Sequence, residues 1–393
     1  MTLRALFHVQ HLLGIGHVMR VAQVARETAA LGLDVTVLSG SGRLGLDWGG
    51  AEVCEMPVAR ARDGSFKVLV DDADRPLDTA FHERRRALVL DVFERVQPHV
   101  VLIESYPFGR RAFRGELDPL IAAAQRRRPR VPVLVSIRDI LVAKSNPARY
   151  AEIAERIRRD IDAVLVHGDP RLVRLEASFP AAATIADRIR YTGYVTDARS
   201  TEAEAERSGV GRGEILVSAG GGAVGGALLR AALAARPLTS ACDRAWRLIA
   251  GPNLPQAEYD DLARKLSTGV TIERFRRDFQ NLLWNCHASL SQAGYNTILD
   301  VLRTGARAVV VPFATGGETE QALRARILAE RGLVQVVDAE ALSGPDGPAM
   351  LARAIERAVA SPAPRLGALN LDGARQAAAA VAEFAAMHQR VAP

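Results

Sequence analysis

The chain has 393 residues, of which 48% are apolar, 5% aromatic and 24% charged, with a formal net charge of +6. That length fits two domains, the apolar share excludes global disorder, and the scarcity of aromatics excludes single-strand nucleic-acid binding by base stacking. The modest positive charge fits an anionic substrate or an anionic membrane surface, and no nucleic-acid partner is expected. Cys54, Cys242 and Cys286 are widely spaced and form no CxxC pair, so neither a disulfide framework nor a zinc knuckle is indicated and a cytoplasmic setting is the simple reading. No apolar run reaches the about 18–20 residues that a membrane span needs, so contact with a membrane would be peripheral.

Short β-branched runs alternate with Ala- and Arg-rich helical stretches, the pattern of parallel sheets flanked by helices. The first predicted strand, Ala5–Val9, runs into the loop of Gly14 and Gly16 and then a helix over Val18–Leu31. A dinucleotide fingerprint would need a third glycine where Met19 stands, and a carboxylate at the end of the second strand, Asp34–Leu38, where none occurs. His17 falls in the first helical turn, where the helix dipole disfavours imidazolium. It is therefore a candidate general base, the plainer alternative being a helix cap. Further strands are expected at Val100–Ile103, Val131–Ser136 and Ala163–His167, with helices at Thr79–Val96, Leu117–Arg127 and Pro147–Ile161. Glu104 and Asp139 stand just past two of these strands, where open sheets bind ligands, and are candidate acceptor contacts or alternative bases. Asp72-Ala73-Asp74 imitates a metal-binding DxD but reads as a solvated loop, and no metal is expected. The basic runs Arg84–Arg86 and Arg126–Arg130 read as solvated helix faces that could instead touch anionic headgroups. Residues 192–213 lack an apolar period and read as a linker.

The second half repeats the alternation, with strands expected at Glu214–Ser218, Arg247–Gly251, Val270–Glu273, His287–Ser291, Ala308–Val311 and Val334–Val337. Five glycines in nine residues, Ser218 to Gly226, follow the first of them. A glycine-rich strand-to-helix turn presents bare N–H groups and a helix dipole to an anion, and close approach of a ligand would account for so many glycines. The turn lacks the Lys-Ser/Thr of an ATP-hydrolysing loop. A second small turn, Ser291-Gln292-Ala293-Gly294, opens a helix that carries Asp300, placed to accept the hydroxyls of a ribose whose phosphates sit at that helix start. Val309–Phe313 then leads to Glu318-Thr319-Glu320-Gln321, side chains suited to sugar hydroxyls. Gly373–Val391 is an Ala-rich helix that closes the second domain or crosses back to the first. The expected organisation is 1–195, 196–372 and this C-terminal helix within 373–393.

Residues 288–332 and the GIGHVMR loop resemble family 28-type GT-B glycosyltransferases, the group that contains the lipid-linked muramyl-pentapeptide N-acetylglucosaminyltransferases. The resemblance implies an α/β fold of two Rossmann-like, doubly wound domains facing a central cleft. It also implies a metal-independent, inverting transfer from a nucleotide-diphosphate sugar, a UDP-sugar, with no cofactor. By the same resemblance Ser218, Gly220, Gly221, Gly222 and Gly294 line the diphosphate, Asp300 holds the ribose, and Arg274 and Phe275 lie by the base. Glu320 and Gln321 meet the donor sugar, while Gly14, Gly16 and His17 form the acceptor side, for a small-molecule or lipid-linked acceptor. Two other readings stay open: a nucleotide-sugar 2-epimerase on the same fold, and a non-catalytic donor-binding subunit.

Overall fold

The computed structural model describes residues 2–12, 16–42, 44–62, 68–196, 201–220, 225–313, 319–364 and 369–391. The chain divides into two compact units, Met1–Thr196 with Leu369–Pro393, and Asp197–Ala368. In the first unit the strands are β1 (Arg4–Val9), β2 (Asp34–Ser39), β3 (Glu52–Glu55), β4 (Arg60–Ala61), β5 (Leu69–Val70), β6 (Val100–Glu104), β7 (Val133–Arg138), β8 (Ala163–His167) and β9 (Ile189–Tyr191). The helices among them are α1 (Gly16–Ala30), α2 (Thr79–Val96), α3 (Arg114–Arg126) and α4 (Ala148–Asp160). Seven strands form one parallel sheet in the order β3-β2-β1-β6-β7-β8-β9, and β4 pairs antiparallel with β5. Side chains alternate across the pleat, so Leu6, Val101 and Ile103 enter one core while Phe7, Val35 and Leu102 enter another on the opposite face. Both faces are thus covered, as a parallel sheet requires.

The second unit holds β10 (Ile215–Ser218), β11 (Trp246–Ile249), β12 (Val270–Glu273), β13 (Ala288–Gln292), β14 (Ala308–Val311) and β15 (Gln335–Val336). They form a parallel sheet in the order β12-β11-β10-β13-β14-β15. Its helices are α5 (Glu202–Ser208), α6 (Gly226–Ala235), α7 (Gln256–Arg264), α8 (Phe279–Asn285), α9 (Tyr295–Thr304), α10 (Glu320–Glu330), α11 (Ala339–Leu342) and α12 (Gly347–Ala360). Ile215, Val217, Leu248, Leu290 and Val309 pack with Leu229, Leu351 and Ile355 into its core. The chain then returns to the first unit as α13 (Gly373–Val391), which lies on α1 and against β1 and β6 and buries Ala377, Val381 and Ala385. No helix of the described residues is long and apolar enough to cross a membrane.

Two expectations need correction. The stretch 192–213 is not wholly a linker, because Thr201 and Glu204 form a reciprocal capping box that starts α5, which packs on α8. The basic runs are not plain solvated faces either. Arg85 is fully buried and holds Glu116 through two hydrogen bonds, of 2.7 and 2.6 Å, while Arg127 and Arg130 pair with Glu94 and Asp162.

Candidate functional site

In each sheet the strand order reverses between two neighbouring strands, and such switch points are where open α/β sheets bind ligands. In the first unit the reversal falls between β1 and β6. The helix that follows β1 carries His17 in its first turn, and β6 ends on Glu104. The fold therefore brings together two residues 87 positions apart: His17 Nδ1 lies 2.5 Å from Glu104 Oε1. Arg20, three residues beyond His17 on the same helical face, donates to that oxygen at 2.8 Å, and the Ser105 hydroxyl does so at 2.6 Å. Arg110 Nε stands 3.7 Å from the other carboxylate oxygen. Ser105 and Arg110 both take left-handed backbone, φ 64° and 57°, an uncommon conformation for non-glycine residues and one that clusters at functional sites.

The electrostatics assign the protons. Glu104 is 0% exposed, and burial alone would favour its neutral form. The His17 hydrogen bond, Arg110 and Arg20 outweigh burial and hold the carboxyl well below the ordinary range, so it is ionised and can only accept. His17 Nδ1 is then the donor. Burial pushes the imidazole from 6.5 down to about 3, opposed by Glu104 and assisted by Arg138 and Arg110. The ring is neutral, its Nδ1–H is anchored, and Nε2 keeps its lone pair on a side chain still 23% exposed. Desolvation, more than the helix dipole invoked from sequence, accounts for that neutrality.

Asp139 is placed differently. It follows β7 but is 1% exposed, accepting from the Ile140 amide at 2.9 Å and the Tyr194 hydroxyl at 3.2 Å. His167 is buried between Ser136 and Thr192, a packed histidine. The Asp72–Asp74 turn is closed by its own chain: Asp71 accepts from the Ala73 amide and from Arg75, and Asp74 pairs with Arg60. Gly16 is the first residue of α1, and Gly14 lies outside the described residues.

In the second unit the reversal falls between β10 and β13, which pair with Ser218 opposite Ser291. These neighbouring parallel strands lead to α6 and α9, so two helices begin at the same edge of the sheet. Among the described residues neither N-terminus carries a side-chain cap: the N-cap residues are Gly225 and Gly294. Their first-turn N–H groups lack partners within the helix, which suits a bound anion. Gly220 takes φ 72°, which a residue with a side chain rarely adopts. Gly225 has a packing cause, since a Cβ there would fall 2.0 Å from that of Ala219. The run of glycines is therefore partly demanded by the chain itself, contrary to the ligand-only account from sequence. Gly294 is the converse case: its φ is −63° and a Cβ would meet none of the described residues within 4 Å. Gly221 and Gly222 lie outside the described residues.

Asp300 sits on α9, half-buried, and its Oδ1 accepts from Gln280 Nε2 at 2.8 Å. Gln280 went unnoticed in the sequence because it sits on a different helix, α8. Arg274 is spent on structure, covering the Tyr259 ring at 4.4 Å and donating to Leu254 O and Gln256 Oε1. That strap leaves the neighbouring Phe275 ring 59% exposed. Glu320 is buried against Arg324 at 2.9 Å, and Gln321 Oε1 accepts from the Phe313 amide at 3.1 Å.

Residues 219–383 match the model of the glycosyltransferase family 28 C-terminal domain. The chain is similar over its whole length to the solved structure of CalG4, the calicheamicin glycosyltransferase, with 19% identity, a TM-score of 0.65 and 100% of both chains covered. MurG of Acinetobacter baumannii aligns with 14% identity and a TM-score of 0.59, over 99% of this chain and 100% of that one. Os79 from O. sativa, solved in complex with UDP, aligns with 14% identity and a TM-score of 0.58, over 98% and 100%. No curated protein matches the chain. Fold and domain together define a glycosyltransferase of the GT-B class, built on two Rossmann-like domains.

Proposed function

We propose that the chain transfers a sugar from a UDP-sugar to an acceptor hydroxyl by one inverting displacement, with no metal required. The observation that carries this reading is the pair of uncapped helix starts, α6 and α9, side by side at the β10–β13 switch point. A leaving diphosphate builds negative charge, and preorganised N–H groups with aligned helix dipoles stabilise it without reorganisation. Asp300, steadied by Gln280, accepts the ribose hydroxyls, and the exposed Phe275 ring offers a stacking face to the base. Two of the neighbours, Os79 and TcCGT1, are described in complex with UDP, which supports uridine as the nucleotide.

The first unit supplies the base. Of the three candidates His17 alone combines a neutral ring, an anchored Nδ1–H and a side chain that is only partly buried. Nε2 takes the acceptor proton as the oxygen attacks the anomeric carbon, and Glu104 stabilises the imidazolium that forms. Glu104 is thereby a positioning residue, and Asp139 belongs to the wall. The acceptor is a small molecule or a lipid-linked alcohol, met in the cytoplasm or at the inner face of a membrane.

A thermal-shift series across nucleotide sugars tests the reading. A donor at ~100 times its dissociation constant adds roughly 2.7 kcal/mol of stability. UDP-sugars should shift the melt, and Asp300→Ala should lose most of the shift while keeping its own fold. The absence of a shift with every nucleotide sugar at millimolar concentration would remove the proposal, and a sugar altered without any acceptor would replace it with an epimerase.

A further inference from the structure

The first unit contains a cavity of about 350 Å³ between the turn after β6 and the loop that leads into α4. Four of its lining residues are cations, Arg110, Arg111, Lys144 and Arg149, and none of them is acidic. The protein does little to neutralise them. Arg110 shares Glu104 with Arg20 and His17. Arg149 reaches only the exposed Glu152, at 3.8 Å. Arg111 and Lys144 have no acidic partner among the described residues. Burial and the neighbouring Arg149 push the Lys144 ammonium below its ordinary value of 10.5, as expected of a cation held where its charge is unwelcome. With Arg111 exposed and Lys144 and Arg149 half-buried, these charges converge on one open cavity and make it attractive to an anion.

We propose that this cavity binds an oxyanion carried by the acceptor, a phosphate or carboxylate, so that the acceptor substrate is anionic. The inference rests on the glycosyl-transfer reading and deepens it. Arg110 links the two places: it lines the cavity and stands 3.7 Å from the carboxylate that orients His17. An acceptor anchored there by its charge presents a nearby hydroxyl to His17 Nε2. The volume suits a sugar phosphate or a lipid headgroup.

Calorimetric titration of the full chain with glucose 6-phosphate, with UDP present to occupy the donor site, tests the proposal. The expected result is saturable binding that weakens at least tenfold in the double variant Arg111→Ala/Lys144→Ala, weakens measurably in Lys144→Gln, and persists in His17→Ala. Flotation with phosphatidylglycerol vesicles against phosphatidylcholine vesicles identifies the source: loss of vesicle binding in the double variant assigns a lipid headgroup, and loss of sugar-phosphate binding alone assigns a soluble anion. Equal affinity for glucose and its phosphate, unchanged affinity in a double variant whose melt matches the parent, or no binding to either anionic probe would overturn it. Retention of the UDP shift in that case would leave the transfer reading standing, whereas loss of the UDP shift would remove the transfer reading instead.

Discussion

Glu104→Gln is the most informative single change in the first unit. The substitution keeps the volume and one carbonyl oxygen but removes a charge that is 0% exposed and receives His17, Arg20 and Ser105 at 2.5, 2.8 and 2.6 Å. Removing one partner of a buried ion pair strands the other, at a cost of about 3–5 kcal/mol. Arg110 remains nearby to be stranded as well, so at least the lower end of that range is expected. A unit of this size loses roughly 2–4 °C of melting temperature per kcal/mol, which predicts a fall of about 6–12 °C. The rate should suffer separately. A neutral amide can turn either its oxygen or its NH2 to Nδ1, so it does not fix the Nδ1–H tautomer, and it does not stabilise an imidazolium; general-base catalysis contributes about 10²–10⁴-fold. We expect UDP release to fall at least ~10²-fold while donor affinity, which the proposal assigns to the second unit, stays within about twofold. The ¹⁵N spectrum of labelled histidine should show the Nδ1–H tautomer of His17 in the parent and a mixture in the variant. A variant that melts within 2 °C of the parent with full turnover, on the scale of roughly 2–4 °C per kcal/mol, would refute the pairing argument.

Two further expectations follow from the same geometry. Gly225→Ala should destabilise the second unit by about 1–3 kcal/mol, because its Cβ would collide with Ala219. Gly294→Ala, whose Cβ meets none of the described residues within 4 Å, should leave the melt unchanged yet weaken UDP, and the reverse ranking in paired thermal and calorimetric measurements would break the assignment of that helix start to the ligand. The pH dependence has a definite sign. The folded His17 pKa is depressed from 6.5 to about 3, so the unfolded chain binds the extra proton between those values, and this contribution is full above pH 6.5 and lost as pH falls toward 3. Glu104, depressed from 4.5, adds a loss that begins near that value. The acid limb of kcat/KM should accordingly lie well below 6.5, and His17→Gln should flatten the fall in melting temperature between pH 6.5 and 4.5. An acid limb at 6.5 or above in the parent would count against a buried neutral base.

Much of the scaffold was legible because apolar periodicity marks it. Ala163–His167, Ala308–Val311 and the helix Thr79–Val96 fall where the pattern puts them, the two strands because buried strands read as unbroken apolar, β-branched runs. Glu52–Glu55 and Ile189–Tyr191 escaped notice. Both are outer strands of the sheet, only partly buried, and need no such run. The helix Glu202–Ser208 was announced by Thr201 and Glu204, a local signal overlooked beside the charge of its surroundings. The candidate site was legible in its parts and not in its wiring. His17 and Glu104 were each found by position at a strand exit, but their contact is a product of strand order, which no local pattern encodes. Arg20 was within reach, three residues along a helical face from His17. Asp139 shows the limit of the strand-end rule: it locates a residue at the right edge of the sheet without saying whether its carboxylate faces the ligand or, as here, the Tyr194 hydroxyl.

The last helix gives the chain an order of assembly. Because α13 lies on α1 and against β1 and β6, the segment that carries His17 is finished only by residues synthesised after the entire second unit. A fragment ending near residue 196 would leave Val18, Val21 and their neighbours without the cover of Ala377, Val381 and Ala385, and so should be sticky and short-lived. The two units consequently cannot be separated by cutting once: the gene must be permuted, or α13 grafted back, before the first unit can be studied alone, whereas the second is the single stretch Asp197–Ala368.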